Sequence, residues 1–268
     1  MKQTERPIAV FDSGVGGISV LRELVRLMPN ENYIFFGDSK NAPYGGKSLE
    51  EVRELTECHV RHLLSEGAKA VVIACNTATS ADVSILRKEY PDVPVVGIEP
   101  ALKPAVQFME HPRVLVMATP MTIREEKFHR LMARYEKDAE IYPLACPGIV
   151  EFVERGELNS ADLKAFLYRL LKPYCEGTVD AIVLGCTHYP LLLDKIKTFL
   201  PEGVLPLPQG DLVAASLKNY LYRHPEMERR CTKNGSCRFL TTESPQRFSA
   251  AASLFLQENV NVSRIVLE

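Results

Sequence analysis

Residues 70–80 read AVVIACNTATS and residues 181–192 read AIVLGCTHYPLL. Each stretch is a short apolar run, then a cysteine, then polar residues, then apolar residues at helical spacing. An unbroken run of aliphatic residues of this length predicts a strand buried on both faces. Such strands belong to parallel sheets covered by helices on each side. Because the two stretches match, they predict the same strand in two copies of one unit.

The rest of the chain fits this alternation. PIAVF (7–11) and NYIFFG (32–37) read as strands, and ISVLRELVRLM (18–28) repeats apolar residues at helical spacing until Pro29. SLEEVRELTECHVRHLLSEG (48–67) carries Ser48 and Glu51 at capping-box spacing and ends on Gly67. VPVVGI (93–98) is a further strand. The pattern then restarts with RVLVMAT (113–119), a helix in IREEKFHRLMARY (123–135) and a strand in EIYPLA (140–145). A capped helix (160–177), the strand DAIVLG (180–185), a helix over LLLDKIKTFL (191–200) and the strand GVLPLP (203–208) follow. The tail adds a helix (211–222), a strand near CRFLTT, a helix near PQRFSAAASLFLQEN and a strand in SRIVL. The predicted fold class is α/β. It has two similar open parallel-sheet domains related by pseudo-symmetry, with the active site in the cleft between them. Residues 1–98 and 208–268 are expected to form the first domain, and residues 99–207 the second.

The composition bounds the function classes. A chain of 268 residues with 46% hydrophobic content supports one large domain or two smaller ones. A net charge of −2 gives no bulk attraction to nucleic acid or to an anionic membrane. No apolar run is long enough to span a bilayer, and the N-terminal MKQTERPIAVFDSG lacks a secretory core, so a cytoplasmic location is expected. The seven cysteines (Cys58, Cys75, Cys146, Cys175, Cys186, Cys231, Cys237) are odd in number and contain no C-x-x-C pair. A disulfide framework is therefore disfavoured, and CTKNGSC (231–237) has the wrong spacing for a zinc ribbon. No metal site is expected.

In open parallel sheets, ligands bind beyond the carboxyl ends of the strands. Asp12, Cys75, Thr119 and Cys186 all fall at such ends. A single strand-end cysteine is usually packing. Two in matching positions are different, and each is followed by side-chain donors (Asn76 and Thr77; Thr187 and His188) at an expected helix N-terminus. A helix N-terminus lowers a nearby thiol's pKa. Two thiols across one cleft suit either a redox couple or a pair of acid/base groups on opposite faces of one carbon. Redox pairs favour close spacing in the chain, which favours the second reading. DSGVGGISV (12–20) matches neither the dinucleotide fingerprint nor the Walker pattern, which disfavours a dehydrogenase. Asp12 would repel phosphate there and better suits an ammonium group or a neighbouring acid/base residue. Pro43, Tyr44 and Gly45 lie in a loop, where Tyr44 and the Gly45 amide are candidates for binding a carboxylate. His188 is placed to set the ionisation of Cys186.

The motifs FDSGVGG, PYG, ACNTATS, AT..T and LGCTHYPLL, in this order, resemble the glutamate racemase family. That family lies within the cofactor-independent aspartate/glutamate racemase superfamily. The similarity runs from residue 7 to the TTESPQRF segment. The resemblance implies two α/β domains with the site between them. It implies Cys75 as the base acting on the D-isomer and Cys186 as the base acting on the L-isomer. It makes Asp12 the acid beside the first thiol and His188 the residue assisting the second. Ser13, Tyr44, Gly45, Asn76, Thr77, Thr119, Thr122 and Thr187 are implied to contact substrate, and Pro43 lies in the same motif. Glu154 matches the family's acidic residue, with Glu151 close by. The implied reaction interconverts L- and D-glutamate without pyridoxal phosphate or metal, supplying the D-isomer for peptidoglycan. A homodimer and a mobile domain interface are further implications. The segment PQGD (208–211) departs from the family pattern and is expected to affect the cleft wall or a dimer contact, not the thiols. Two rival readings are a racemase for aspartate or another acidic amino acid, and a non-catalytic binding protein on the same fold.

Overall fold

The computed structural model of the chain describes residues 6–174, 177, 179–230 and 233–267. Cys175 and Cys231 lie outside the described residues. Ten strands form two sheets, and every pairing is parallel. The first contains β1 (Ile8–Asp12), β2 (Tyr33–Gly37), β3 (Ala70–Ile73), β4 (Val95–Gly97), β9 (Cys237–Thr241) and β10 (Val262–Arg264). Its order is β10-β9-β2-β1-β3-β4. The second contains β5 (Arg113–Ala118), β6 (Glu140–Ala145), β7 (Ala181–Leu184) and β8 (Leu205–Leu207), in the order β6-β5-β7-β8.

The two orders are the same arrangement. In each, the first strand of the unit sits between the second and the third. The register repeats as well, since Phe11 pairs with Ile73 and Met117 pairs with Leu184. Each cysteine lies two residues beyond its paired strand end. Asp12 ends β1 opposite Gly37 and Ala118 ends β5 opposite Ala145, so Thr119 corresponds to Ser13.

Alternation along the central strands divides the core. Ile8, Val10, Leu115, Met117 and Ile182 enter one buried cluster that is continuous between the two sheets. Ala9 and Phe11 face a second cluster outside the first sheet, and Val114 and Val116 a third outside the second sheet. The first sheet is covered by α1 (Ile18–Leu27), α2 (Leu49–Ser65) and α3 (Asn76–Glu89). Ser48 and Glu51 form the expected capping box at the start of α2. The second carries α4 (Leu102–Gln107), α5 (Pro120–Arg124), α6 (Glu126–Ala133), α7 (Ile149–Glu154), α8 (Ala161–Leu171) and α9 (Leu193–Lys197). The tail supplies α10 (Gly210–Arg223), which packs on α1, then α11 (Pro225–Glu228) and α12 (Pro245–Leu256).

Two helices differ from the sequence expectation. The helix over 123–135 is split at Glu125, whose extended backbone separates α5 from α6. The helix over 191–200 shrinks to a short 3-10 turn (Tyr189–Leu192) and the five residues of α9. Pro190 at the start of that turn has no N–H to donate, which favours so short a beginning. No helix among the described residues is long and apolar enough to cross a membrane.

Candidate active site

Strand order reverses direction beside β1 and beside β5, so the loops leaving β1 and β3, and those leaving β5 and β7, diverge and leave a crevice. The two crevices meet, and the predicted site residues line the junction.

The first thiol belongs to Cys75, the N-cap of α3. The ladder between β1 and β3 ends with Ala74 N–H donating to the Phe11 carbonyl at 2.7 Å, and the chain then turns into the helix. The Cys75 Sγ accepts from the Ala78 amide at 3.5 Å and donates to the Ser13 hydroxyl at 3.4 Å. The sequence expectation of a lowered thiol pKa is overturned here. Burial and the neighbouring Asp12 charge push the thiol up to about 12, and the Ala78 and Ser13 contacts only moderate this. Asp12 is fully buried. It accepts from the Gly14 amide at 2.9 Å and from the Thr187 hydroxyl at 3.1 Å. Burial raises the Asp12 carboxyl above its usual range, against the opposing charge of His188.

The second thiol has different neighbours. No helix begins at Cys186, which correctly removes the helix-terminus argument for this residue. Its Sγ instead lies 3.8 Å from Nδ1 of His188, and His188 Nε2 lies 2.6 Å from Oε1 of Glu154. Burial works against a charged His188, but the hydrogen bonds of Cys186 and Glu154 more than offset it and hold the ring well above the ordinary histidine range. Glu154, not Glu151, is the glutamate on this junction. Its Oε1 also accepts from the Val15 amide at 2.8 Å, and its Oε2 from the Ser39 hydroxyl at 3.0 Å. The glycine-rich loop explains itself at this point. A Cβ on Gly14 would overlap the Glu154 carboxylate, and one on Gly16 would overlap the His188 ring. These glycines let the first unit's backbone close on the second unit's side chains.

Hydroxyl groups line the remaining wall. Thr77 reaches Thr119 across the junction at 3.1 Å, and Thr119 reaches Thr122 at 3.0 Å. Gly45 packs against the Thr119 side chain. Asn76 is 3% exposed, yet neither atom of its amide has a partner. A buried unpaired amide costs about 1–3 kcal/mol, so an unmet ligand is the economical account. Pro43 follows a cis peptide bond and is half-buried. The Tyr44 hydroxyl is already committed, donating to Asp38 at 2.6 Å, so a carboxylate at this loop would meet backbone rather than the phenol.

Several neighbours of the site were absent from the sequence expectation. Asp38 is fully buried and also accepts from His59 at 2.8 Å and Thr242 at 2.6 Å. Burial raises its carboxyl, but these donors outweigh it and leave the group below the usual range. Asp38 follows β2, so the strand-end rule could have found it. His59 sits mid-helix in α2 and carried no such signal. Ser19 donates to the Thr187 carbonyl at 3.0 Å, a further tie between the units. In the PQGD segment, Gln209 donates to the Leu184 carbonyl at 2.8 Å. It therefore braces the strand leading to Cys186 without touching the thiol.

Chemically, the junction offers two thiols near enough for the charge of Cys186 to raise Cys75, with Asp12 beside the first and the His188 imidazole beside the second. Hydroxyl and amide donors stand between them. Such a set can pass protons to and from one small polar molecule. Among the described residues, no group of three or more His, Cys, Asp or Glu is placed to hold a metal ion.

Comparison with known proteins bears on this chemistry. The family described as Asp/Glu/hydantoin racemase matches residues 8–215. A glutamate racemase of Clostridium perfringens is 49% identical over 230 residues, covering 86% of this chain and 88% of the relative. The crystal structure of glutamate racemase isoform RacE1 from Bacillus anthracis superposes with a TM-score of 0.87 at 31% identity, covering 98% of each chain. Glutamate racemase from Francisella tularensis, solved in complex with D-glutamate, gives 0.84 at 27% identity and covers 99% of each.

Proposed function

The chain belongs to the Asp/Glu/hydantoin racemase family, and on that premise we propose that it interconverts L-glutamate and D-glutamate by proton transfer between two thiols. The observation that carries this reading is the pair Cys75 and Cys186, held at the same register position of two repeated sheets and facing one junction. Cys75 takes the α-proton of the D-isomer while Cys186 returns one from the opposite face, and the roles exchange for the L-isomer. The α-proton is weakly acidic. A thiol pushed up to about 12 is costly to ionise but is the stronger base once ionised. Each unit of matched pKa is worth about 1.4 kcal/mol at the proton-transfer step. Water exclusion by the closing domains and fixed donors close the rest of the gap.

The substrate is a dianion with one ammonium group. Asn76, Thr77, Thr119, Thr122, Thr187, Ser13 and the Gly45 amide supply donors for its carboxylates, and Asp12 faces the ammonium. Asp12 assists Cys75, while His188 and Glu154 assist Cys186. Relatives named for glutamate support this substrate over aspartate. The product D-glutamate feeds peptidoglycan assembly. A cytoplasmic location and a homodimer belong to the same reading, and the second is tested by the mass of the protein in solution. Cys75→Ala and Cys186→Ala each abolish racemisation of both enantiomers, followed by circular dichroism. Full activity in either variant would sink the two-thiol assignment.

A further inference from the structure

Glu154 is held from the other unit. It ends α7 on the second sheet's side, yet its carboxylate is fixed by the Val15 amide and the Ser39 hydroxyl, both from the first. Oε1 is shared by His188 and Val15, whereas Ser39 is the hydrogen-bond partner of Oε2. Ser39 opens the short 3-10 turn after β2 and is half-buried. Beside it lies a cavity of about 140 Å³, lined in part by Arg155 and Arg247. Arg155 is already paired with Glu157, and Arg247 comes from the first turn of α12. A carboxylate released from Ser39 can rotate toward these guanidinium groups, and it then presents the wrong edge to His188.

We propose that Ser39 is a positioning residue for the second half-site: by holding Oε2 of Glu154 it keeps Oε1 on His188, and so assembles the Cys186–His188–Glu154 line only when the two units close on each other. This rests on the two-thiol reading above for its catalytic consequence, but the geometry it invokes stands apart from the substrate. Ser39 does not reach either thiol. Cys75 has its own contacts, to Ser13 and Ala78, and these do not involve Glu154. Removing the Ser39 hydroxyl therefore disturbs Cys186 directly and reaches Cys75 only through the charge of Cys186. The charged and titratable groups around Glu154 are His188 and Cys186 from the end of β7, Asp12 from β1, Glu151 and Arg155 on its own side, and Glu243 and Arg247 beside α12. Ser39→Ala substitutes none of them.

The test uses Ser39→Ala and Ser39→Thr in the full chain. The pH dependence of iodoacetamide labelling is read separately at Cys75 and Cys186 by peptide mass spectrometry, alongside kcat in both directions. Ser39→Ala shifts the labelling midpoint of Cys186 by more than that of Cys75. It lowers kcat about tenfold, the scale of one hydrogen bond to a charged group, with KM little changed. Ser39→Thr restores both. An unchanged Cys186 midpoint, or equal shifts at both thiols, overturns the proposal. A wild-type protein that fails to racemise glutamate would instead sink the functional reading, and the labelling comparison would still decide the role of Ser39.

Discussion

Cys75 and Cys186 occupy the same position in two repeats but not the same chemistry. Cys75 is buried beside a carboxyl group, and Cys186 beside an imidazole that is held charged. Enantiomers have equal free energy, so kcat/KM must be the same in both directions at every pH. The inequality of the thiols can therefore appear only in kcat and KM moving together. Burial beside Asp12 pushes the Cys75 thiol up, whereas Cys186 faces the His188 ring, so kcat for D- to L-glutamate, where Cys75 is the base, follows a different pH profile from kcat for the reverse. Superimposable kcat profiles would contradict the unequal half-sites. Asn76 gives a second prediction. Its amide satisfies nothing in the folded chain, so Asn76→Ala lowers kcat/KM by about 10- to 100-fold while the melting temperature holds or rises. A large loss of stability would show the amide to be structural. Asp82 is the opposite case, a buried carboxyl on α3 with neither oxygen partnered. Burial, with Glu57 adding to it, raises its pKa from 3.8 to about 6. The folded state then binds more protons than the unfolded state between those values. Stability from this group is complete below the unfolded value and is lost as pH rises through about 6. Asp82→Asn therefore raises the melting temperature by a few degrees (~3 °C) at pH 7.5 and by almost nothing near pH 4, measured by calorimetry.

At the scale of elements, the strands were legible and some of the helices were not. AVVI and AIVL are apolar at every position because helices cover both faces of the sheet, and that leaves a plain signal in the sequence. The thiols were legible for the same reason, since each ends such a run. The split at Glu125 and the collapse of the helix after Cys186 were not visible. Helical spacing reports neither the extended backbone at Glu125 nor the interruption that follows Pro190. The glycine loop was not legible as a contact surface, because its partners His188 and Glu154 are far away in the chain. Gly16→Ala makes that point testable. The added methyl overlaps the His188 ring, so kcat falls at least about tenfold while far-UV circular dichroism is unchanged. Wild-type kcat in this variant would remove the close approach from the account.

The molecule as a whole repeats one sheet order and joins the copies at their strand ends. The tail extends the first sheet through β9 and β10. The same hydrogen bonds that complete the site also close it, because Thr187 with Asp12, Thr187 with Ser19, and Glu154 with Val15 and Ser39 all cross between the units. Both thiols lie almost fully buried behind these contacts. His59 and Ser39 could be recognised only at this scale, where α2 and the turn after β2 come together behind the site. The central claim is that two thiols on opposite faces of one carbon share the work. It is tested most directly by running L-glutamate, and separately D-glutamate, to a few per cent conversion in D₂O with purified protein and no added cofactor. Two-thiol transfer predicts that the product carries deuterium at its α-carbon while the recovered substrate keeps its proton. Equal deuterium in both, or a product that retains the substrate's own proton, would contradict it.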